Sequence, residues 1–91
     1  MTVAEWVLEE EQELKQKNPD ISTKQIAFEL AGAVLASYAE EMRRLGDLHW
    51  NERIDDKEFS RLKAEVRKNR DEDTAAVFAW WDWTQEGRPN G

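Results

Sequence analysis

The 91 residues contain no cysteine and a single histidine. Disulfides and thiolate metal sites are thereby excluded, and a zinc site would have to rest on carboxylates, which are poor ligands for it without help. No metal or other cofactor is expected. Proline occurs twice and glycine four times, so the chain has few built-in breaks. Long apolar runs are missing too. The longest uncharged stretch, Leu30 to Ala39, is ten residues, where a bilayer span needs about 20. Met1-Thr2-Val3-Ala4-Glu5 has no basic segment of the kind that opens a signal peptide, and the expectation is a cytoplasmic protein. Bases are outnumbered, 13 against 20 acids, for a net charge of −7. That field opposes phosphate backbones and anionic membranes. It suits solubility, or a partner with a basic surface.

What is present is helical punctuation. Residues 1–91 are expected to form one all-α domain, large enough to bury somewhat over ~60% of its unfolded surface. Thr2 and Glu5 have the spacing of a capping box, as do Ser22 and Gln25, the latter flanked by the staple pair Ile21 and Ile26. Asp55 and Glu58 repeat the pattern with Ile54 and Phe59. Pro19 ends the first helix, and Gly46 is placed to take the left-handed position after the second. Asp71, Glu72, Asp73 and Thr74 put negative charge where a helix dipole favours it at an N-terminus, with Gly87 and Pro89 beyond the other end. The expected architecture is a compact four-helix bundle-like domain with helices at about 3–18, 23–45, 56–69 and 74–86. The segment between the middle two helices, with Leu48 and Trp50, is expected to pack down. Leu45 to Val66 resembles the short helix–hinge–helix oligomerisation motifs at the ends of bacterial proteins through Leu45, Leu48, Ile54, Glu58 and Phe59. These residues would mark any stapled helix start, and no functional role is carried over from them.

At about 100° per residue, Ile26, Leu30, Ala33, Val34, Tyr38 and Leu45 share one stripe of the second helix. Phe28, Leu35, Ala39 and Met42 lie beyond its edge. A helix apolar nearly all round is normally enclosed, either by the other three helices or by a second copy, with Gly32 and Ala36 permitting close approach. The expected core is Ile26, Leu30, Val34, Phe59, Leu62, Val66, Val77 and Trp80. The first helix turns Trp6, Val7 and Leu14 inward and leaves Glu9, Glu10, Glu11 and Glu13 as an acidic run. The 57–70 segment carries six bases, Lys57, Arg61, Lys63, Arg67, Lys68 and Arg70, against Glu58 and Glu65, and is expected to face that acidic run or the acids at 71–73.

The last helix carries Val77, Phe78, Trp80, Trp81 and Trp83, three of the chain's five tryptophans within four residues. They spread over roughly 220°, where a core stripe needs little more than 100°. Val77 and Trp80 lie near its centre, Phe78 and Trp83 at its edges. Surplus aromatic surface of this kind is what protein interfaces use as anchors.

Catalytic chemistry finds little support. Glu10-x-x-Glu13 and Glu52-x-x-Asp55 resemble the paired acidic motifs with which all-α nucleotide pyrophosphohydrolases gather Mg²⁺. Asp55, however, is placed as a helix cap and Glu52 precedes it in a loop. His49 has Asp47 and Glu52 nearby but no nucleophile, and Ser22, Ser37 and Ser60 have no activating histidine placed beside them. The basic 57–70 segment follows too long a connection to be the second helix of a tight helix-turn-helix. The expected function is therefore that of a non-enzymatic, small acidic protein-binding module. It matches the physical type of inhibitors, antitoxins and phage or mobile-element modulators that dock on a basic protein surface. Trp83, Trp81 and Phe78 are the expected anchors, and Glu9, Glu10 and Glu13 the expected charged contacts. The alternative is a self-assembling structural subunit, a homodimer or larger, that uses the second helix and the aromatic residues of the last.

Overall fold

A computed structural model describes residues 3–88, which form three helices: α1 Glu5–Lys17, α2 Thr23–Trp50 and α3 Asp56–Gln85. The all-α expectation holds. The fourth helix does not exist as a separate element, because the segments expected at 56–69 and 74–86 are one 30-residue helix. The acids at 71–73 do not begin a new helix: no glycine or proline interrupts the chain there. The Thr74 hydroxyl donates back to the Arg70 carbonyl (2.7 Å) and so sits inside a continuous turn. The second helix likewise runs past Gly46, which is helical, to Trp50.

Local signals explain the boundaries that remain. Asn18, extended ahead of Pro19, ends α1. Ser22 and Gln25 form a full reciprocal box at α2, with bonds of 3.1 and 3.0 Å. At α3 the Asp55 carboxylate accepts from the Glu58 N–H (2.8 Å), but the Glu58 side chain turns to Arg61 rather than back to the cap. At α1 the residue before the helix is Ala4, with no side-chain cap. The expected cap Thr2 and the terminal Pro89 lie outside the described residues.

Both long helices close with the same reverse turn. In α3, Arg88 N–H reaches the Trp83 carbonyl (3.0 Å) and Gly87 N–H the Thr84 carbonyl (3.3 Å), with Gly87 at φ +80. In α2, Arg53 N–H reaches Leu48 (2.9 Å) and Glu52 N–H reaches His49 (3.1 Å). Here the left-handed residue is Glu52, at φ +58. This is the position sequence reasoning assigns to Gly46, six residues earlier. The longer helix is favoured because it half-buries Leu48 and lays the His49 ring on Phe59, 4.2 Å between centroids and 10° from parallel. His49 also bonds Asp56 (2.6 Å) and Lys63 covers the Phe59 ring at 4.4 Å, so the bend is held by ring contacts as well as by the cap.

α2 and α3 form a long antiparallel hairpin, and α1 lies across one end of it only. Val7, Ile26, Leu30 and Trp80 make the core there, with Trp6, Leu14, Ile21, Val77, Trp81 and Trp83 packed around them. Val34 and Leu45 are also buried. Phe59, Leu62, Val66 and Val77, expected in the core, are only half-buried. The distal half of the hairpin lacks a third helix, so its inward side chains keep one side toward water. Trp50, expected to pack down, is 86% exposed. The basic 57–70 segment does not meet α1. Its ion pairs are local, Arg61 with Glu58 and Glu65 and Arg70 with Asp71, and Arg70 also reaches across to the Tyr38 ring of α2 at 4.5 Å.

Two substitutions test this architecture. Glu72→Pro would be tolerated at the first turn of a separate helix, but within one continuous helix it should cost about 3 kcal/mol or more in urea unfolding. Retention of wild-type stability would restore the break at 70–73. Glu52→Gly should raise stability by about 1 kcal/mol, because it relieves a left-handed backbone that a side chain disfavours. An unchanged or lowered denaturation midpoint would show that Glu52 is not strained.

Candidate interaction surface

The end of the hairpin that carries α1 is closed by a charge contact. Glu11 projects inward from α1 beside Val7 and is 4% exposed. The turn at Gly87 brings Arg88 back over it. The guanidinium takes both carboxylate oxygens, Nη1 to Oε1 at 3.2 Å and Nη2 to Oε2. Lys15 approaches the same carboxylate at 3.5 Å. Burial alone would push the Glu11 carboxyl up. Arg88, followed by Lys15 and the Trp80 indole N–H, outweighs it, and the net shift is below the ordinary carboxylate value. That indole nitrogen is fully buried and has no hydrogen bond of ordinary geometry, but it lies close enough to favour the ionised carboxylate. Arg88 also covers the Trp83 ring at 4.9 Å.

Fastening α1 to one side leaves the other side of the hairpin open. There Phe28 and Leu35 from α2 face Phe78 and Trp81 from α3 across a groove of about 540 Å³, with Lys24 at one end. Phe28 is 78%, Phe78 64% and Leu35 62% exposed.

The residues expected to form one binding patch are divided by this arrangement. Phe78 is exposed on the open side. Trp81 is half-buried at the groove wall, and Trp83 is half-buried on the side facing α1, beneath Arg88. Glu9, Glu10 and Glu13 are all exposed on α1. Glu10 borders a shallow hollow with Trp6, Ser37 and Asp73, while Glu9 and Glu13, four residues apart, share the outer side of the helix. Sequence reasoning took Asp71 as part of a helix start and read neither it nor Asp82 as a contact residue. Both are exposed, and they stand seven residues before and four after Phe78, on the same outward stripe of α3. The spacing of Phe78 and Asp82 was legible within the expected last helix, but Asp71 joins them only once 56–85 is read as a single helix. Phe28 and Leu35 showed their signal in full as the apolar residues beyond the core edge of the second helix.

Among the described residues no group of three or more His, Asp or Glu side chains is placed to hold a metal ion, and no helix is long and apolar enough to cross a membrane. No protein-family model, curated protein or solved structure matches this chain.

The charge contact sets an acid limb. A carboxyl whose pKa is lowered on folding contributes stability above its unfolded pKa and loses it as the pH falls through the folded value. Stability should therefore drop as the pH falls below about 4.5. Arg88→Gln, which leaves the buried carboxylate short of its main partner, should cost about 1–3 kcal/mol at neutral pH and flatten that limb. A wild-type pH profile in Arg88→Gln would mean that the contact does not secure α1.

Proposed function

We propose that this chain works as a non-enzymatic acidic module that binds another protein through the outward stripe of α3, with Phe78 as the anchor. The observation that carries the reading is a large aromatic side chain 64% exposed on a rigid helix, with Asp71 and Asp82 in line on either side of it. An exposed ring that becomes desolvated on binding can supply 2 kcal/mol or more of an interface. Flanking carboxylates select a partner with basic residues around an apolar pocket, and govern encounter more than residence. Glu9, Glu10 and Glu13 extend the acidic field without touching Phe78, so they steer. Trp81 and Trp83 hold the helix that presents the anchor.

The test is affinity capture from the source cell followed by kinetics with the purified partner. Phe78→Ala should speed dissociation and raise Kd roughly 30-fold or more. Asp82→Lys, or the pair Glu9→Lys and Glu13→Lys, should slow association and reduce its dependence on salt. Recovery of nucleic acid alone, or of a partner indifferent to all of these changes, would overturn the reading.

A further inference from the structure

A second surface, on α2, adjoins the α3 stripe at the groove between Phe28, Leu35 and Phe78 and carries an inference of its own. We propose that α2 packs against α2 of a second copy of this chain, antiparallel and over its whole length.

α2 has three sides. Ile26 and Leu30 face α1 and Trp80, and Val34 and Leu45 face α3. The third side lies about a third of a turn from α3 and nearly opposite α1. It bears Phe28, Leu35 and Met42 at seven-residue spacing, and Gly32, Ala39 and Gly46 at the same spacing four residues on. A seven-residue repeat keeps a stripe in register along a second helix. Much of it is uncovered among the described residues: Phe28, Leu35 and, at its end, Trp50 are exposed, while Met42 and Gly46 are half-buried.

The two glycines have no use within one copy. Both are helical, and a Cβ added to either would meet nothing within 4 Å. Glycine destabilises a helix interior relative to alanine, and here neither a turn nor a close contact accounts for it. A helix packed from outside does, because small residues let two backbones draw together.

The register follows from the sizes. α2 spans residues 23–50, so a two-fold axis near residue 37 overlays two copies end to end. It sets Phe28 of one copy opposite Gly46 of the other, Leu35 opposite Ala39, and Met42 opposite Gly32, each pairing occurring twice as a two-fold interface requires. Every large side chain meets a small residue. Parallel pairing would instead set Phe28 on Phe28 and glycine on glycine. In the antiparallel register Trp50 comes beside Lys24 of the other copy, where its ring can take the ammonium.

Charge and area agree with this occupant. The face carries Lys24 and Arg43 and no acid, in a chain of net charge −7, so two copies meet without opposing their carboxylates. A basic partner would find nothing here to pair with. Phe28 and Trp50 together offer roughly 300 Å². With Leu35, Met42 and the small residues the face approaches the ~800 Å² per partner of an ordinary stable interface.

Sedimentation equilibrium of the full chain tests the proposal, with a dimer of twice 10.7 kDa expected. Gly32→Leu and Gly46→Leu have open space in one copy, so helicity should be retained, while association weakens roughly a hundred-fold. Leu35→Ala and Ala39→Leu should each weaken the dimer, and the double variant, which exchanges large for small on both copies, should recover to within roughly tenfold of wild type. A chain that stays monomeric at millimolar concentration, a dimer indifferent to the glycine substitutions, or a double variant weaker than both singles would overturn it. A monomer that still captures a partner through Phe78 would remove the second copy and leave the α3 reading standing.

Discussion

The fold depends on one buried joint, the packing of Trp80 against Val7, Ile26 and Leu30. Among the described residues it is the only place where all three helices meet in a fully buried cluster. Trp80 is the largest side chain in it and is completely enclosed. An aromatic side chain of that size buries on the order of 200 Å², which is the main return on ordering a helix as short as α1. Thirteen residues in water would be marginally helical on their own. They are held because Val7 completes the cavity around the indole and Arg88 reaches back to Glu11 at its edge.

A one-ended joint has consequences for the rest of the molecule. The distal half of the hairpin has only two helices, and among its side chains Leu45 alone is buried while Phe59, Leu62 and Val66 keep contact with solvent. Local devices substitute for a core there: the His49–Phe59–Lys63 stack, the Asp55 cap and the Arg61 pairs with Glu58 and Glu65. The ion pairs among these are exposed and worth little individually, and the stack is only half-buried. The region they hold is therefore expected to open before the Trp80 joint does. The joint also decides which surfaces are free. By taking α1 to one side it leaves bare the third side of α2 and the outward stripe of α3, where Phe28, Leu35, Trp50 and Phe78 are exposed.

The two bare surfaces differ in chemistry, and this supports assigning them different occupants. The α2 face is apolar, without acids, and matched to itself by size. The α3 stripe sets one exposed ring between two carboxylates. A dimer built on the first would border the second along the groove between Phe28, Leu35 and Phe78, and would leave the acidic outer side of α1 turned toward solvent on both copies. Two identical docking stripes on one particle would also bind a repeated or dimeric target with higher avidity than either stripe alone.

Much of this was legible in the residues themselves. All-helical character, the starts at Ser22 and Asp55, the stop at Pro19 and the burial of Ile26, Leu30, Val34 and Trp80 follow from capping chemistry and from the 3.6-residue period, both local along the chain. The surplus apolar residues of the second helix and the edge position of Phe78 followed from the same period. What local chemistry could not settle was which weak signals to heed. Acids at 71–73 suit a helix start and a helix interior alike, and Gly46 suits a helix end only if nothing beyond it gains by staying helical. Tertiary contacts made those choices. Leu48 and the His49–Phe59 stack repay the extra residues of α2, at the expense of a left-handed Glu52, and the unbroken α3 carries Trp80 to Val7. The same contacts separated Trp83 from Phe78 and brought Arg88 to Glu11 across 77 positions of sequence. No periodicity along a single helix encodes a pairing of that kind, because it depends on where two helix ends arrive in space.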